Sequence, residues 1–447
     1  MKSHDFSEPC WPSPDQRLLL KAAVGPEDQA FQAWQEWEKT VPRGSVNFAS
    51  ARLLPLIYER FRSRLTTDSM FEICKGAYRR SWYKNQILLA ELPEILRVLR
   101  EAGIRTMLLK GAALLRYYQN DLGLRPMGDI DPLVPEADAL KSIHLLKSLG
   151  WKEDVYPEQI EILHEITLRK PDQKLVDLHW RPFRYYRDLH ADQDFWDHAE
   201  STLWSGVPVC VMNPADQLFY VCVHGAQGDL AIPYWVADAF KILGSKTIDW
   251  DRLVDISFQR QFRFQMRDAL SYLKETLQAP VPPEVIERLG TLRPSRAEEI
   301  YYFLVIRRHG LKTFRNIRFL WFYFLHRYCI SHPSREINRL GWLDLAKKFI
   351  DYTQVRWRVK NYFQLPFYAL WRVLRRMKKK LYRLDQNAEE ERREAEEGKE
   401  SDDIGKGGKD NGRGLRRIAA ERPHEDGNAC TSHAGHNHIN DHRKTDH

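Results

Sequence analysis

Apolar residues recur at three- and four-residue spacing across residues 15 to 103, in LLPLIYERF and again in NQILLAELPEILRVLREAG. That spacing predicts a helical N-terminal segment over 1–103, with Gly103 as its stop. The texture then changes. Ile104 to Leu109 (IRTMLL) is a short apolar run suited to a strand, followed by Lys110-Gly111 and a predicted helix AALLRYYQ. A loop, NDLGLRPMG, leads into a second predicted strand, Asp129 to Val134, and PEADALKSIHLLKSLG reads as a helix closed by Gly150. The runs EILHEITLR and KLVDLHW, joined by Pro171-Asp172-Gln173, predict a hairpin. From Asn213-Pro214, an N-cap followed by proline at the first helical position, the chain returns to helix through DQLFYVCVHGAQ and on to about residue 384. The pattern places a small α/β unit, residues 104–212, between helical segments, the second of them over 213–354.

Composition changes this picture mainly at the C-terminus. With 43% hydrophobic residues the chain has ample material for a core, yet beyond Asp385 it turns to Glu, Lys, Gly, Arg, Asn and His. Residues 386–447 therefore read as a disordered tail. The formal net charge is only +8, but Val355 to Leu384 carry ten Lys or Arg and no acid, more than the whole excess. Residues 355–385 read as a basic amphipathic helix, with Phe367, Leu370, Trp371, Leu374, Leu381 and Leu384 opposite Arg372, Arg375, Arg376, Lys379 and Lys380. Such a helix suits an anionic membrane surface or RNA phosphates, or else packs on the body with its basic side in water. The six cysteines form no C-x-x-C pair, which argues against a disulfide framework or zinc knuckle and favours a reducing cytoplasm. Residues 319–325 (FLWFYFL), the densest apolar run, are too short to span a bilayer and read as a buried helix. These features describe a cytoplasmic protein, peripheral to a membrane if the basic helix binds one.

The candidate chemistry lies between Leu108 and Asp131. Asp129 and Asp131 are two residues apart, so on a strand both carboxylates face one side with Cα atoms about 6–7 Å apart. That arrangement suits one or two hard divalent cations held through oxygen, as Mg²⁺ prefers. The strand, Lys110-Gly111 turn and helix start form an anion site: glycine permits close backbone approach and Lys110 adds charge. On the hairpin, Asp177 and His179 share one face while Val176, Leu178 and Trp180 share the other. An acid between Val and Leu is costly unless paired or bound to metal, which makes Asp177 a third candidate ligand. His179 reads as a group that orients a carboxylate, and His224 and Asp238 as structural hydrogen-bonding residues. Paired acids are also common in turns and caps. The conjunction with Lys110-Gly111 before and VDLHW after favours the metal reading. The cluster His433-Ala-Gly-His-Asn-His438 reads as a tail with incidental metal affinity.

The strand–KG–helix–R…D-x-D order, the later single Asp in VDLHW and the flanking helices resemble the uncharacterised bacterial nucleotidyltransferase family of the polymerase-β-like superfamily. The resemblance covers residues 15 to 270, including Val223-His224, Pro233 to Asp238 and Asp249-Trp250. Where the superfamily has a Gly-Ser or Gly-Gly turn, this chain has Lys110-Gly111-Ala112, and the spacing from Gly111 to Asp129 is longer than in many relatives. The resemblance implies an α+β fold: a small mixed-sheet nucleotidyltransferase core with helical segments on both sides. It implies that Asp129, Asp131 and Asp177 are the catalytic metal carboxylates, with the triphosphate near Lys110-Gly111; read from the residues alone, Lys110 and Arg125 are phosphate contacts or else ordinary surface charges. Mg²⁺ or Mn²⁺ would be the cofactor and an NTP the substrate. The acceptor is unknown, with a peptide or small molecule favoured. The competing readings are a non-catalytic adaptor that binds an anionic partner through the basic helix, and a metal-dependent phosphohydrolase.

Overall fold

The structure, a computed structural model, describes residues 11–291 except 42–45, 65–68, 153–159, 161–162, 173, 184–188, 228–233 and 246, with scattered positions between 298 and 374. The expected helix over 319–325, the tail, its histidine cluster and most of 355–385 lie outside the described residues. The chain divides into units Met1–Tyr368 and Ala369–His447. Of the second, Leu370, Trp371 and Leu374 are described, and all three are exposed.

In the first unit the N-terminal pattern folds into six helices, α1 (Pro14–Val24), α2 (Glu27–Thr40), α3 (Phe48–Ala51), α4 (Leu54–Phe61), α5 (Ser69–Leu89) and α6 (Leu92–Glu101). A reciprocal capping box between Ser13 and Gln16 opens α1. After Gly103, in the left-handed region at φ 76°, come β1 (Met107–Leu108), α7 (Lys110–Leu114), β2 (Pro132–Leu133) and α8 (Ala139–Ser148). The hairpin β3 (Glu165–Arg169) and β4 (Leu175–His179) follows, then α9 (Leu189–Asp197), β5 (Glu200–Trp204) and β6 (Val207–Val211). The chain continues through α10 (Pro214–Gln227), α11 (Tyr234–Ser245), α12 (Trp250–Gln259), α13 (Arg263–Leu277) and α14 (Pro283–Gly290). Asn213 caps α10 through the Asp216 N–H at 3.0 Å, as the Asn-Pro pair predicts. The fold is α+β, with one mixed six-stranded sheet in the order β3-β4-β2-β1-β6-β5.

Two expectations need adjustment. The Asp129 to Val134 run is not one strand: Ile130 makes an isolated parallel bridge to Val176, and the strand proper is Pro132–Leu133. A further hairpin, β5–β6, absent from the elements the sequence predicts, pairs β6 in parallel with β1 and extends the sheet. Its turn is Ser205-Gly206, both at positive φ (47° and 79°), the geometry of a tight hairpin. Pro208 is tolerated in β6 because β1 pairs only with Cys210 and Val211, beyond it.

The pleat sends alternate residues to two cores. Leu108, Ile130, Val176 and Leu178 pack with α6 and α8 residues such as Leu92, Ile95, Ile143 and Leu146. Met107, Leu109 and Leu133 face the other way, into a larger core with Trp34, Phe219, Tyr220, Trp235 and Tyr272. By the same alternation Asp129 and Asp131 lie on the side of Leu133, and Asp177 lies opposite Val176 and Leu178. All three acids therefore face the side against which α10 packs.

Candidate active site

Backbone pairing brings the acids together. Ile130 N–H donates to Leu175 O at 3.1 Å, and Asp177 N–H donates to Ile130 O at 2.8 Å. Leu109 N–H donates to Asp131 O at 2.9 Å from the other side. The D-x-D segment is thus clamped between β1 and β4. One carboxylate oxygen from each of Asp129, Asp131 and Asp177 lies within 4.8 Å of the others. Three oxygen donors at that spacing fit a hard divalent cation. Asp131 Oδ2 is fully buried and has no hydrogen-bond partner among the described residues. A cation would satisfy it, and without one its desolvation is uncompensated.

The electrostatics agree. Burial, then the Asp131 charge, pushes the Asp129 carboxyl up to about 7. Burial and the Asp131 and Glu165 charges raise Asp177 as well, against a hydrogen bond from the Thr167 hydroxyl. Burial also opposes ionisation of Asp131, but Lys110 and His179 outweigh it and hold that carboxyl below its ordinary range. The metal-free trio is therefore one firmly ionised acid beside two that resist ionisation, as expected of carboxylates assembled for a cation.

Around Asp131 the chain builds a hydrogen-bonded fence. Lys110 Nζ donates to Asp131 Oδ1 at 2.6 Å and lies 3.4 Å from His179 Nε2. His179 Nε2 lies 3.1 Å from Asp131 Oδ1 and 3.2 Å from Glu165 Oε2. Both neighbours are acceptors when ionised, which assigns the proton to Nε2. Glu165 also meets His164 Nε2 at 3.3 Å. Burial works against its ionisation, yet the two histidines hold Glu165 well below the carboxylate range. Tyr220 on α10 is buried, its hydroxyl raised by burial and then lowered in part by Lys110. His224, one turn on, is exposed, with its ring 5.6 Å from that of Tyr220.

Three residues expected at the triphosphate have protein partners here. Lys110, in the left-handed region at φ 42°, points its ammonium at Asp131. The close approach that Gly111 permits is that of a side chain: a Cβ there would lie 2.5 Å from Met127 Sδ and 3.3 Å from Arg125 Nη1. The α7 helix that begins at this turn has five residues, Lys110–Leu114. Arg125 makes a two-pronged pair with Asp238, Nε to Oδ1 and Nη2 to Oδ2, both 2.8 Å, and Tyr118 donates to the same Oδ1 at 2.7 Å. Asp238 thus has a structural partner, Arg125. Arg52 lies on the ring of Tyr234 (5.7 Å), as Arg125 does (5.5 Å), and donates to Pro126 O at 2.8 Å.

Sequence reasoning did not single out Glu165, Thr167, Tyr220 or Arg52. The first two were recoverable from hairpin register, since Glu165 pairs with His179 and Thr167 with Asp177. Tyr220 and Arg52 come from distant segments and carry no local signal.

The mixed sheet with D-x-D at a central strand and a third acid on its neighbour defines a nucleotidyltransferase-type core. Residues 48–278 match the family described as uncharacterised nucleotidyltransferase, and the chain belongs to that family. Curated protein sequences yield no match. Among solved structures, an antigenic nucleotidyltransferase-like protein from Paracoccidioides brasiliensis is similar, with 14% identity over 48% of this chain and 94% of that one and a TM-score of 0.29. Among the described residues no helix is long and apolar enough to cross a membrane.

Proposed function

We propose that the chain moves a nucleoside monophosphate from an NTP to an acceptor hydroxyl or phosphate, with Mg²⁺ or Mn²⁺ held by Asp129, Asp131 and Asp177. The observation that carries this reading is the convergence of the three carboxylates around a buried oxygen, Asp131 Oδ2, with no other partner, in a chain of this family. The bound cation supplies charge neutralisation at the triphosphate and acidifies the attacking group. The acceptor oxygen forms a bond to the α-phosphorus, the bond from that phosphorus to the bridging oxygen breaks, and pyrophosphate leaves. Burial and neighbouring acids raise Asp177, as they raise Asp129, and we assign the acceptor's proton to Asp177, the acid that the hairpin strand β4 brings in beside the D-x-D pair. Asp131, held ionised by Lys110 and His179, keeps its charge for the cation. Lys110 and Arg125 contribute positive field at the triphosphate while their hydrogen bonds go to Asp131 and Asp238. We take the compartment to be the cytoplasm, and a peptide or small molecule is the acceptor class we favour.

The test is incubation with each labelled NTP and cell extract, following pyrophosphate release and identifying the labelled product by mass spectrometry. A nucleotidylated product that disappears in Asp129→Asn supports the reading. Release of phosphate or monophosphate with no acceptor product would show a phosphohydrolase instead, and undiminished transfer in Asp129→Asn refutes the assignment of the site.

A further inference from the structure

The two oxygens of Asp131 have different surroundings. Oδ1 accepts from Lys110 Nζ at 2.6 Å and faces His179 Nε2 at 3.1 Å, whereas Oδ2 is buried without a hydrogen bond. The lysine is a built feature. Its backbone sits in the left-handed region at φ 42°, a conformation that costs an L-residue strain and persists where the surroundings enforce it. Its side chain is 20% exposed and that of Asp131 1%. His179, itself buried, meets Glu165 Oε2 at 3.2 Å through the same Nε2 that faces Asp131, and Glu165 is met by His164 at 3.3 Å. A positive charge is thereby fixed against one edge of the acidic cluster.

A carboxylate can bridge two cations through both oxygens or through one, but Oδ1 of Asp131 is already met by both Lys110 and His179, and two-cation phosphoryl transfer places its metals about 3.5–4 Å apart. Asp131 has one oxygen to give. A divalent ion seeking Oδ1 would meet the Lys110 ammonium at contact range, where like charges in a buried setting repel strongly. We propose that Lys110 is the resident cation of this site: its ammonium occupies Oδ1 of Asp131, takes the place of one metal of a two-metal pair, and leaves the carboxylate trio a single divalent-cation position. This rests on the nucleotidyltransferase reading of the trio.

The experiment counts cations in the full chain. Mn²⁺ is titrated in the presence of an NTP analogue with a methylene between the α- and β-phosphorus atoms. Bound metal is followed by calorimetry and by electron paramagnetic resonance. The Asp129→Asn/Asp177→Asn double variant sets the baseline for Mn²⁺ held elsewhere, including the tail histidines. Above that baseline the wild type should hold one Mn²⁺ with an uncoupled spectrum, and Lys110→Met should hold two, spin-coupled to each other. Two coupled Mn²⁺ ions in the wild type overturn the inference, and so does a count that stays at one in a folded Lys110→Met. If Lys110→Met does not fold, the wild-type count still decides between one ion and two. No Mn²⁺ above baseline in the wild type refutes the trio as a metal site, and with it the parent reading, which separates the two failures.

Discussion

Replacing Asp129 by Asn should stabilise the metal-free protein, and by an amount that depends on pH. Burial and the Asp131 charge move the Asp129 carboxyl from its ordinary 3.8 to about 7 in the folded chain. One pH unit of such a displacement is worth about 1.4 kcal/mol, so the full difference is on the order of 4 kcal/mol. Asp129 is half-buried, and screening at its open edge together with mutual adjustment of the three acids brings this to roughly 2 kcal/mol. The sign follows from proton counting. Between pH 4 and 7 the unfolded Asp129 has released its proton while the folded one retains it, so stability falls as pH rises through that window. Below pH 4 both states are protonated and the penalty vanishes. Asn carries no charge at any pH, so the difference between variant and wild type should be near zero at pH 4 and reach about 2 kcal/mol by pH 7.5. Urea unfolding in chelator at a series of pH values measures it, and saturating Mg²⁺ should reverse the order by stabilising the wild type more. A variant less stable than wild type at pH 7.5 without metal would mean that Asp129 is a structural cap or pair, and the argument from repulsion would fail.

The fold was legible where local signals agree with tertiary demand. The N-terminal helices, the β3–β4 hairpin and the Asn213 cap follow from spacing, turn residues and capping chemistry that act within a few residues. The three acids were legible because the i, i+2 spacing of Asp129 and Asp131 puts both on one side of extended backbone, and because Asp177 is costly between Val176 and Leu178 unless paired or bound to metal. Other features depend on partners far away in sequence. Asp129 and Ile130 precede the strand because pairing with β4 begins only as a single bridge at Val176, which no local pattern encodes. The β5–β6 hairpin turns at Ser205-Gly206, and Pro208 fits its second strand only because β1 pairs with Cys210 and Val211 beyond it. The same holds for charge. Lys110 and Arg125 look alike as cations beside a glycine turn, and only the fold shows that one is committed to Asp131 and the other to Asp238.

Asp238→Ala should cost about 3–5 kcal/mol in urea unfolding, because it strands the Arg125 guanidinium and the Tyr118 hydroxyl in the interior; a loss under 1 kcal/mol would show that the pair is dispensable. Charge reversal at Arg375, Arg376, Lys379 and Lys380 should weaken binding to anionic vesicles or RNA most at low salt. Absence of any wild-type binding at low salt would mean that the basic segment serves only the fold. Truncation before Gln386 should leave the melting temperature and NTP binding unchanged, since the segment lacks the apolar content to join a core, and a drop in either contradicts that. Gly111→Ala separates two explanations of one glycine. The added Cβ would lie 2.5 Å from Met127 Sδ, so Met127 must shift, at a cost of about 1–3 kcal/mol. Its neighbours would shift with it, and Met127 N–H already leans on Asn85 Oδ1 at 3.2 Å in the loop that delivers Asp129. NTP affinity should fall together with stability. Shortening the obstructing side chain in Gly111→Ala/Met127→Ala should then recover affinity toward that of Met127→Ala alone. If the glycine is needed instead for a phosphate to approach the backbone, removing Met127 leaves the methyl in the phosphate's way, and affinity stays lost. Equilibrium binding of a fluorescent NTP analogue across the four proteins of the cycle decides between them.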